Sequence, residues 1–239
     1  MAALFHPCRT VAIRAAPPAA MSPELEARVA ANWLRAQASS PGLFNGSILS
    51  PIGLEIAGDA VAVDVRHSSY AHYTWSRQAD ADEHAARPGA LFVSVVVPVD
   101  ARTLVVGRMS PSTSTPGLVQ LPGGCIPPAS QATQAALDEL REELGLDLAP
   151  SDLRTVGIIN RKSPFDVGIV MCSRTLSWSS VRLAFGALLE RERSASLESE
   201  FSELGLAVAY SGRCRIGIEG QAVDYLPAVM DAMSQGLLD

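Results

Sequence analysis

Residues 121–146 read LPGGCIPPASQATQAALDELREELGL. Wound as a helix at about 100° per residue, residues 131–144 place Leu137, Leu140 and Leu144 on one side, and Gly145 follows as a left-handed stop. A helix with a single apolar stripe has to bury it. Apolar, strand-like runs lie close on both sides: ALFVSVVVPV and TLVVGRM before the helix, LRTVGIIN and DVGIVMCS after it. A one-faced helix set among such strands belongs against a sheet, so the expected class is α/β or α+β. Ser130 is the expected N-cap, and Asp138 with Arg141, three residues apart, is an expected ion pair.

The flanking sequence is of the same mixed kind. Residues 23–38 predict an amphipathic helix with Leu25, Val29, Trp33 and Leu34 on its apolar face. Residues 52–66 alternate apolar and polar around Ala57-Gly58-Asp59, a hairpin signal. An aromatic patch follows at Tyr70, Tyr73 and Trp75, then a charged segment, 77–89, read as a linker or an exposed helical turn. Residues 180–192 predict a helix, 204–210 a strand, and 223–238 a closing helix despite Pro227. Residues 1–21 are a tail or carry a short strand at Thr10–Arg14; an upstream-extended start fits equally, and a targeting peptide less well, since no apolar core is present. The expected division is therefore a tail or strand over 1–21, an extension over 22–88 and a main domain over 89–239.

Composition sets limits. A hydrophobic share of 48% is enough for a real core, and a net charge of −6 argues against a general nucleic-acid binder. No apolar run reaches the roughly 18–20 residues that span a bilayer. The four cysteines are scattered without a C-x-x-C pair, which fits a reducing compartment, and the cytoplasm is the expected location.

The helix carries a second message. Glu139, Glu142 and Glu143 sit at i, i+3 and i+4, roughly opposite the leucines. Like charges one turn apart repel by a few tenths of a kcal/mol per pair. A divalent cation removes that repulsion, and magnesium takes oxygen ligands while leaving room for water and substrate phosphates. Gly123 and Gly124 let the backbone approach closely. The plain alternative is a solvated acidic face, which is common.

The spacing G-x5-E-x7-R-E-U-x-E-E-x-G-U, with U aliphatic, is the signature of Nudix hydrolases. Counted from Gly124, the chain matches at Glu139, Leu140, Glu142, Glu143, Gly145 and Leu146 and departs at two positions, Ser130 for the first glutamate and Asp138 for the arginine. The chain thus resembles that family over about residues 89–237. The resemblance implies a Nudix-like α/β/α sandwich with a mixed sheet, preceded here by a small helix-plus-hairpin extension. It implies a metal-dependent pyrophosphohydrolase acting on a nucleoside diphosphate linked to another group. Glu139, Glu142, Glu143 and the Gly124 carbonyl would hold Mg2+, with Mn2+ able to substitute. The general base would be a box glutamate or an acid of the late segment SLESEFSEL, which offers Glu198, Glu200 and Glu203; Glu200 is taken as the candidate. Arg108 and Arg161 are candidate diphosphate ligands. The missing arginine puts the positioning of Glu139 in question. A homodimer is common in the family, and neither nucleic acid nor membrane is an expected partner.

The segment ARVAANWLRAQASSPGLFNG, the hairpin and the Tyr-rich patch also resemble the extension of the UDP-sugar-hydrolysing branch. That implies UDP-glucose or UDP-galactose as substrate, with Tyr73 as a candidate stacking residue. The alternatives are a Nudix enzyme for ADP-ribose or another nucleotide, and a Nudix-fold binding or regulatory protein with little turnover.

Overall fold

The computed structural model describes residues 3–17, 19–39, 43–78, 87–162, 165–210 and 213–238. Three sheets and five α-helices make up the described chain. The first sheet runs β1 (Leu4–Pro7), β9 (Leu153–Lys162), β10 (Phe165–Ser173), β5 (Leu91–Val96). It is mixed, since β10 is antiparallel to β9 and parallel to β5. The second is built on β7 (Thr103–Met109), which pairs with β6 (Pro98–Asp100), β8 (Leu118–Gln120) and β11 (Phe201–Tyr210); β12 (Arg213–Ile216) and β13 (Gln221–Ala222) flank it. The third belongs to the extension, with β4 (Ala60–Ser69) between β2 (Thr10–Ala15) and β3 (Ser47–Ala57). The class is mixed α+β, as expected.

Alternation along the strands produces three layers. Val105, Ile158 and Ile169 pack with Leu137, Leu140 and Leu144 of α3 (Ala132–Leu144) and with Val181, Phe185 and Leu188 of α4 (Trp178–Ser194). Their neighbours Leu104, Val106, Ile159 and Val170 pack instead with Leu226, Val229, Met230 and Met233 of α5 (Leu226–Ser234). Pro227 lies in the first turn of α5, where its missing N–H costs nothing, so it starts the helix it was expected to disturb.

In the extension, Gly58 takes a positive φ of 64° in the β3–β4 turn. Its helices α1 (Pro23–Ser39) and α2 (Tyr70–Ser76) bury Leu25, Val29, Trp33, Ala71 and Trp75 together. Leu34 was expected on that face and is 68% exposed, while Asn32 is buried in its place. Sheet and main domain share one core, because Val61, Val63 and Val65 of β4 join the cluster of Val93, Val95 and Leu140. The N-terminal strand β1 pairs with β9 and so extends the first sheet from outside residues 89–239. Most of the 77–89 segment lies outside the described residues. No helix among the described residues is long and apolar enough to cross a membrane.

Candidate active site

The Pro-Gly-Gly segment lies along β5. Val95 N–H donates to the Pro122 carbonyl, Val93 N–H to the Gly124 carbonyl, and Ile126 N–H to Leu91. Gly123 holds φ at 152°, and a Cβ there would fall 2.1 Å from the Val93 carbonyl oxygen, so only glycine fits. The pinned loop presents its Gly123 N–H to Glu143 Oε2 at 2.7 Å. Gly124 lies against Glu139: a Cβ there would sit 2.2 Å from Oε1. Its carbonyl, a candidate metal ligand, accepts from Val93 with one of its two lone pairs.

Helix α3 ends at Gly145, which takes the left-handed conformation at φ 69°. Its start differs from expectation: Gln131 occupies the N-cap without a side-chain bond, and Ser130 Oγ turns to the Gln131 carbonyl. Glu143 is the larger correction. Expected on the face away from the leucines, it is 1% exposed, and its Oε1 is buried with no hydrogen-bond partner among the described residues. Glu139 is half-buried and Glu142 exposed.

These carboxylates act on one another. Burial, then Glu200, Glu142 and Asp138, push Glu139 up to about 8. Burial, then Glu139 and Glu200, hold Glu143 well above the usual carboxylate range, and the Gly123 N–H only partly opposes them. Glu200 is raised by burial and by Glu142 and Glu192. Of the three acids in the late segment, Glu200 reaches the cluster. Glu203 lies within β11 rather than in a loop and pairs with Arg108 at 2.8 Å. The Asp138–Arg141 pair forms at 2.9 Å, and Arg141 also reaches Asp147, so its charge stays on the outer face of α3. Glu139 accepts no hydrogen bond from it.

A basic and aromatic wall stands beside the acids. Asp166, 1% exposed, accepts from Ala90 N–H and from Arg77 at 2.8 Å each and from Arg161 at 3.4 Å. The Arg77 guanidinium lies 4.1 Å from the Tyr73 ring centre, and Arg161 lies 5.3 Å from that of Tyr225 while also pairing with Asp224. Two groups join wall and cluster. Cys125, pushed up to about 11 mainly by burial, feels Glu139, Asp166 and Arg77. Tyr225, pushed up to about 12 by burial, feels both Arg161 and Glu143. Arg77 and Arg161 each keep a buried Nε without a partner among the described residues. Such donors beside carboxylates suit a ligand carrying phosphoryl oxygens next to a cation.

Arg161 and Tyr73 are therefore brought to the cluster, whereas the charge of Arg108 is matched by Glu203 across β7 and β11. An exposed pair of that kind contributes about 0–1 kcal/mol. Arg108→Ala should leave stability nearly unchanged and KM within about twofold, while Arg161→Ala should raise KM about tenfold by removing a charge-assisted contact. Steady-state kinetics on both variants decides; equal effects would mean that Arg161 is no closer to a bound ligand than Arg108.

Arg77, Cys125, Asp166 and Tyr225 were missed from the sequence. Arg77 lies four residues after Tyr73, one helical turn on, and Asp166 is the lone charge opening an apolar strand; both signals were present.

No protein-family model and no curated protein matches the chain. Solved structures that resemble it include a MutT/nudix family protein from Enterococcus faecalis, 11% identical, at a TM-score of 0.42 over 68% of this chain and 66% of that one. A bifunctional NMN adenylyltransferase/ADP ribose pyrophosphatase from Francisella tularensis, complexed with AMP and a Mn ion, is 14% identical at 0.43 over 63% of this chain and 42% of that one. A MutT protein from Methanosarcina mazei Go1 is 15% identical at 0.40 over 62% and 95%.

Proposed function

We propose that the chain is a Nudix-type, divalent-metal-dependent hydrolase of a nucleoside diphosphate linked to a sugar. One observation carries this reading: three carboxylates of α3 and Glu200, from just before β11, gather against a glycine-pinned loop, beside two arginines held by one buried aspartate.

The donor set suits a hard cation. Glu143 carries a buried oxygen without a partner among the described residues, and the carboxylates around it outweigh the one Gly123 N–H that opposes them. Among the described residues no three acidic, cysteine or histidine side chains are placed to hold a metal ion together. Magnesium commonly needs only one or two direct carboxylates, with water and substrate phosphates completing its shell. Glu142 and Glu143 would hold it, with Glu139 and the Gly124 carbonyl in support. Bound there, Mg2+ or Mn2+ lowers the pKa of water and neutralises charge on the phosphoryl oxygens.

The chain's own groups supply the rest. Arg77 and Arg161 orient the diphosphate, Tyr73 gives it a flat apolar wall, and Glu139 or Glu200 accepts the proton of the attacking water. The oxygen of water bonds to one phosphorus, the bridging P–O bond breaks, and the bridging oxygen leaves with the other phosphate. The products are a nucleoside monophosphate and a sugar 1-phosphate.

Raised carboxylates make the metal-free protein pH-sensitive. A group whose folded pKa lies above its unfolded value binds its proton more tightly when folded, so stability is full below the unfolded pKa and is lost as pH rises towards the folded one. For Glu139 that window runs from 4.5 to about 8. In chelator, the thermal midpoint should fall between pH 5 and pH 8, and saturating Mg2+ should remove most of the fall. Calorimetry at stepped pH measures both; a flat profile without metal would mean that the carboxylates are already compensated.

The extension supports a uridine sugar as substrate, since its helix α2 contributes Tyr73, and the residue just after the helix, Arg77, to the wall. Metal and phosphates are common to all such substrates, so discrimination has to come from the base and sugar. UDP-glucose or UDP-galactose should give UMP and sugar 1-phosphate, with kcat/KM at least about tenfold above ADP-glucose and ADP-ribose. An adenine compound in the lead would overturn the uridine assignment and leave the hydrolase standing. No turnover of any of them, with UDP-glucose still bound, would favour a binding protein, the reading to which the unsupported Glu139 lends weight.

A further inference from the structure

A cavity of about 720 Å3 lies in the extension, bounded by β3, β4, α2 and the residues leading into α1 and β5. Small-molecule pockets span about 300–1,000 Å3. Among the described residues that line it, the charged side chains are Arg66 and Arg87, with His67 and His72 beside them. The half-buried arginines of the proposed active site are matched, Arg77 and Arg161 by Asp166. Arg87, like Arg77 and Arg161, keeps a buried Nε with no acceptor among the described residues. Leu25, Ile52 and Pro88 make other parts of the wall apolar.

A cavity with two arginines at its edge and an apolar wall suits an anion with an apolar body. The two guanidinium groups alone offer more donors than a single carboxylate accepts. The volume exceeds what an inorganic anion fills. We propose that this cavity is a second binding site, for a small organic phosphate of mononucleotide size.

The site is distinct from the carboxylate cluster because α2 stands between them. His72 lines the cavity, while Tyr73 of the same helix and Arg77 just after it face Asp166. The two sites share a scaffold. Ser76 Oγ donates to the Pro88 carbonyl, and two residues further on Ala90 N–H holds Asp166. A ligand in the cavity leans on the back of the elements that hold the active-site arginines.

Calorimetric titration of the full chain with UMP and with inorganic phosphate, in chelator, tests this. The parent protein should bind one UMP, and phosphate more weakly, because it leaves the apolar wall uncovered. Arg66→Gln and Arg87→Gln should each weaken UMP binding about tenfold or more, and Arg161→Gln should leave it unchanged. Arg66 is exposed, so that variant keeps its fold, and the thermal midpoint checks Arg87→Gln. Parental affinity in both cavity variants, or loss in Arg161→Gln alone, would place UMP beside the carboxylates and overturn the proposal. So would the absence of UMP binding, and phosphate binding as tightly as UMP would overturn the mononucleotide assignment. The result does not depend on whether the chain hydrolyses a nucleotide sugar.

Discussion

Glu143→Gln should lower kcat by about 10² or more and, in chelator at pH 8, raise the thermal midpoint by about 3 °C or more. The two effects have one origin. Glu143 is 1% exposed among other carboxylates, with one oxygen on the Gly123 N–H and the other without a partner among the described residues. At pH 8 its charge disfavours the metal-free fold. A glutamine keeps the volume and the Gly123 bond, removes the charge, and offers an amide donor to Glu139 or Glu200. The same loss of charge deprives a bound cation of its most buried ligand. Glu142 provides the contrast: exposed at the end of the same helix, its Gln variant should lose comparable activity with little change in midpoint. Activity at saturating Mg2+ and midpoints in chelator, taken on both variants, separate charge from burial. Near-parental turnover in both would remove the cluster from the chemistry; a lower midpoint in Glu143→Gln would mean its charge is compensated in the fold.

Helix α3 shows how far periodicity reaches. The leucine stripe, the Gly145 stop and the surface Asp138–Arg141 pair follow from 3.6 residues per turn, and all three are present. The burial of Glu143 does not follow from a two-sided picture of the helix. Glu143 projects only about 60° from Leu140, at the edge of the apolar arc, and which edge is covered depends on the Pro-Gly-Gly loop packed along β5. The pinning of that loop is set by pairing between residues far apart in sequence. The same limit explains the late segment: Glu198, Glu200 and Glu203 look alike in sequence, and only the start of β11 at Phe201 decides that Glu200 meets the cluster while Glu203 meets Arg108. In the extension, the arc that buries Trp33 takes in Asn32 rather than Leu34, because α2 packs on that side. The wall was illegible for a related reason. Arg77, Asp166 and Tyr225 come from three separate segments, and each alone is an ordinary residue of its element.

Asp166→Ala should destabilise the fold by about 3–5 kcal/mol, the range for removing one partner from a buried ion pair, and lower the midpoint by on the order of 10 °C. Asp166 is 1% exposed and joins three segments: Ala90 at the start of β5, Arg77 after α2, and Arg161 near the end of β9. Alanine leaves the Ala90 N–H without its acceptor and both guanidinium groups without their shared counter-charge, with only 27% and 24% of those side chains exposed. Asp166→Asn separates the two losses. An asparagine oxygen still accepts from Ala90, so most of the fold's stability should return, while the charge that aims Arg77 and Arg161 stays absent. The asparagine variant should then be folded and show a raised KM with a smaller change in kcat, because the arginines bind phosphate while the carboxylates carry the chemistry. Far-UV melting and steady-state kinetics on both variants give the comparison. A midpoint unchanged in Asp166→Ala would mean that the extension and main domain are not held through this carboxylate. A fall in kcat alone for Asp166→Asn would move Asp166 from positioning the arginines to the reaction itself.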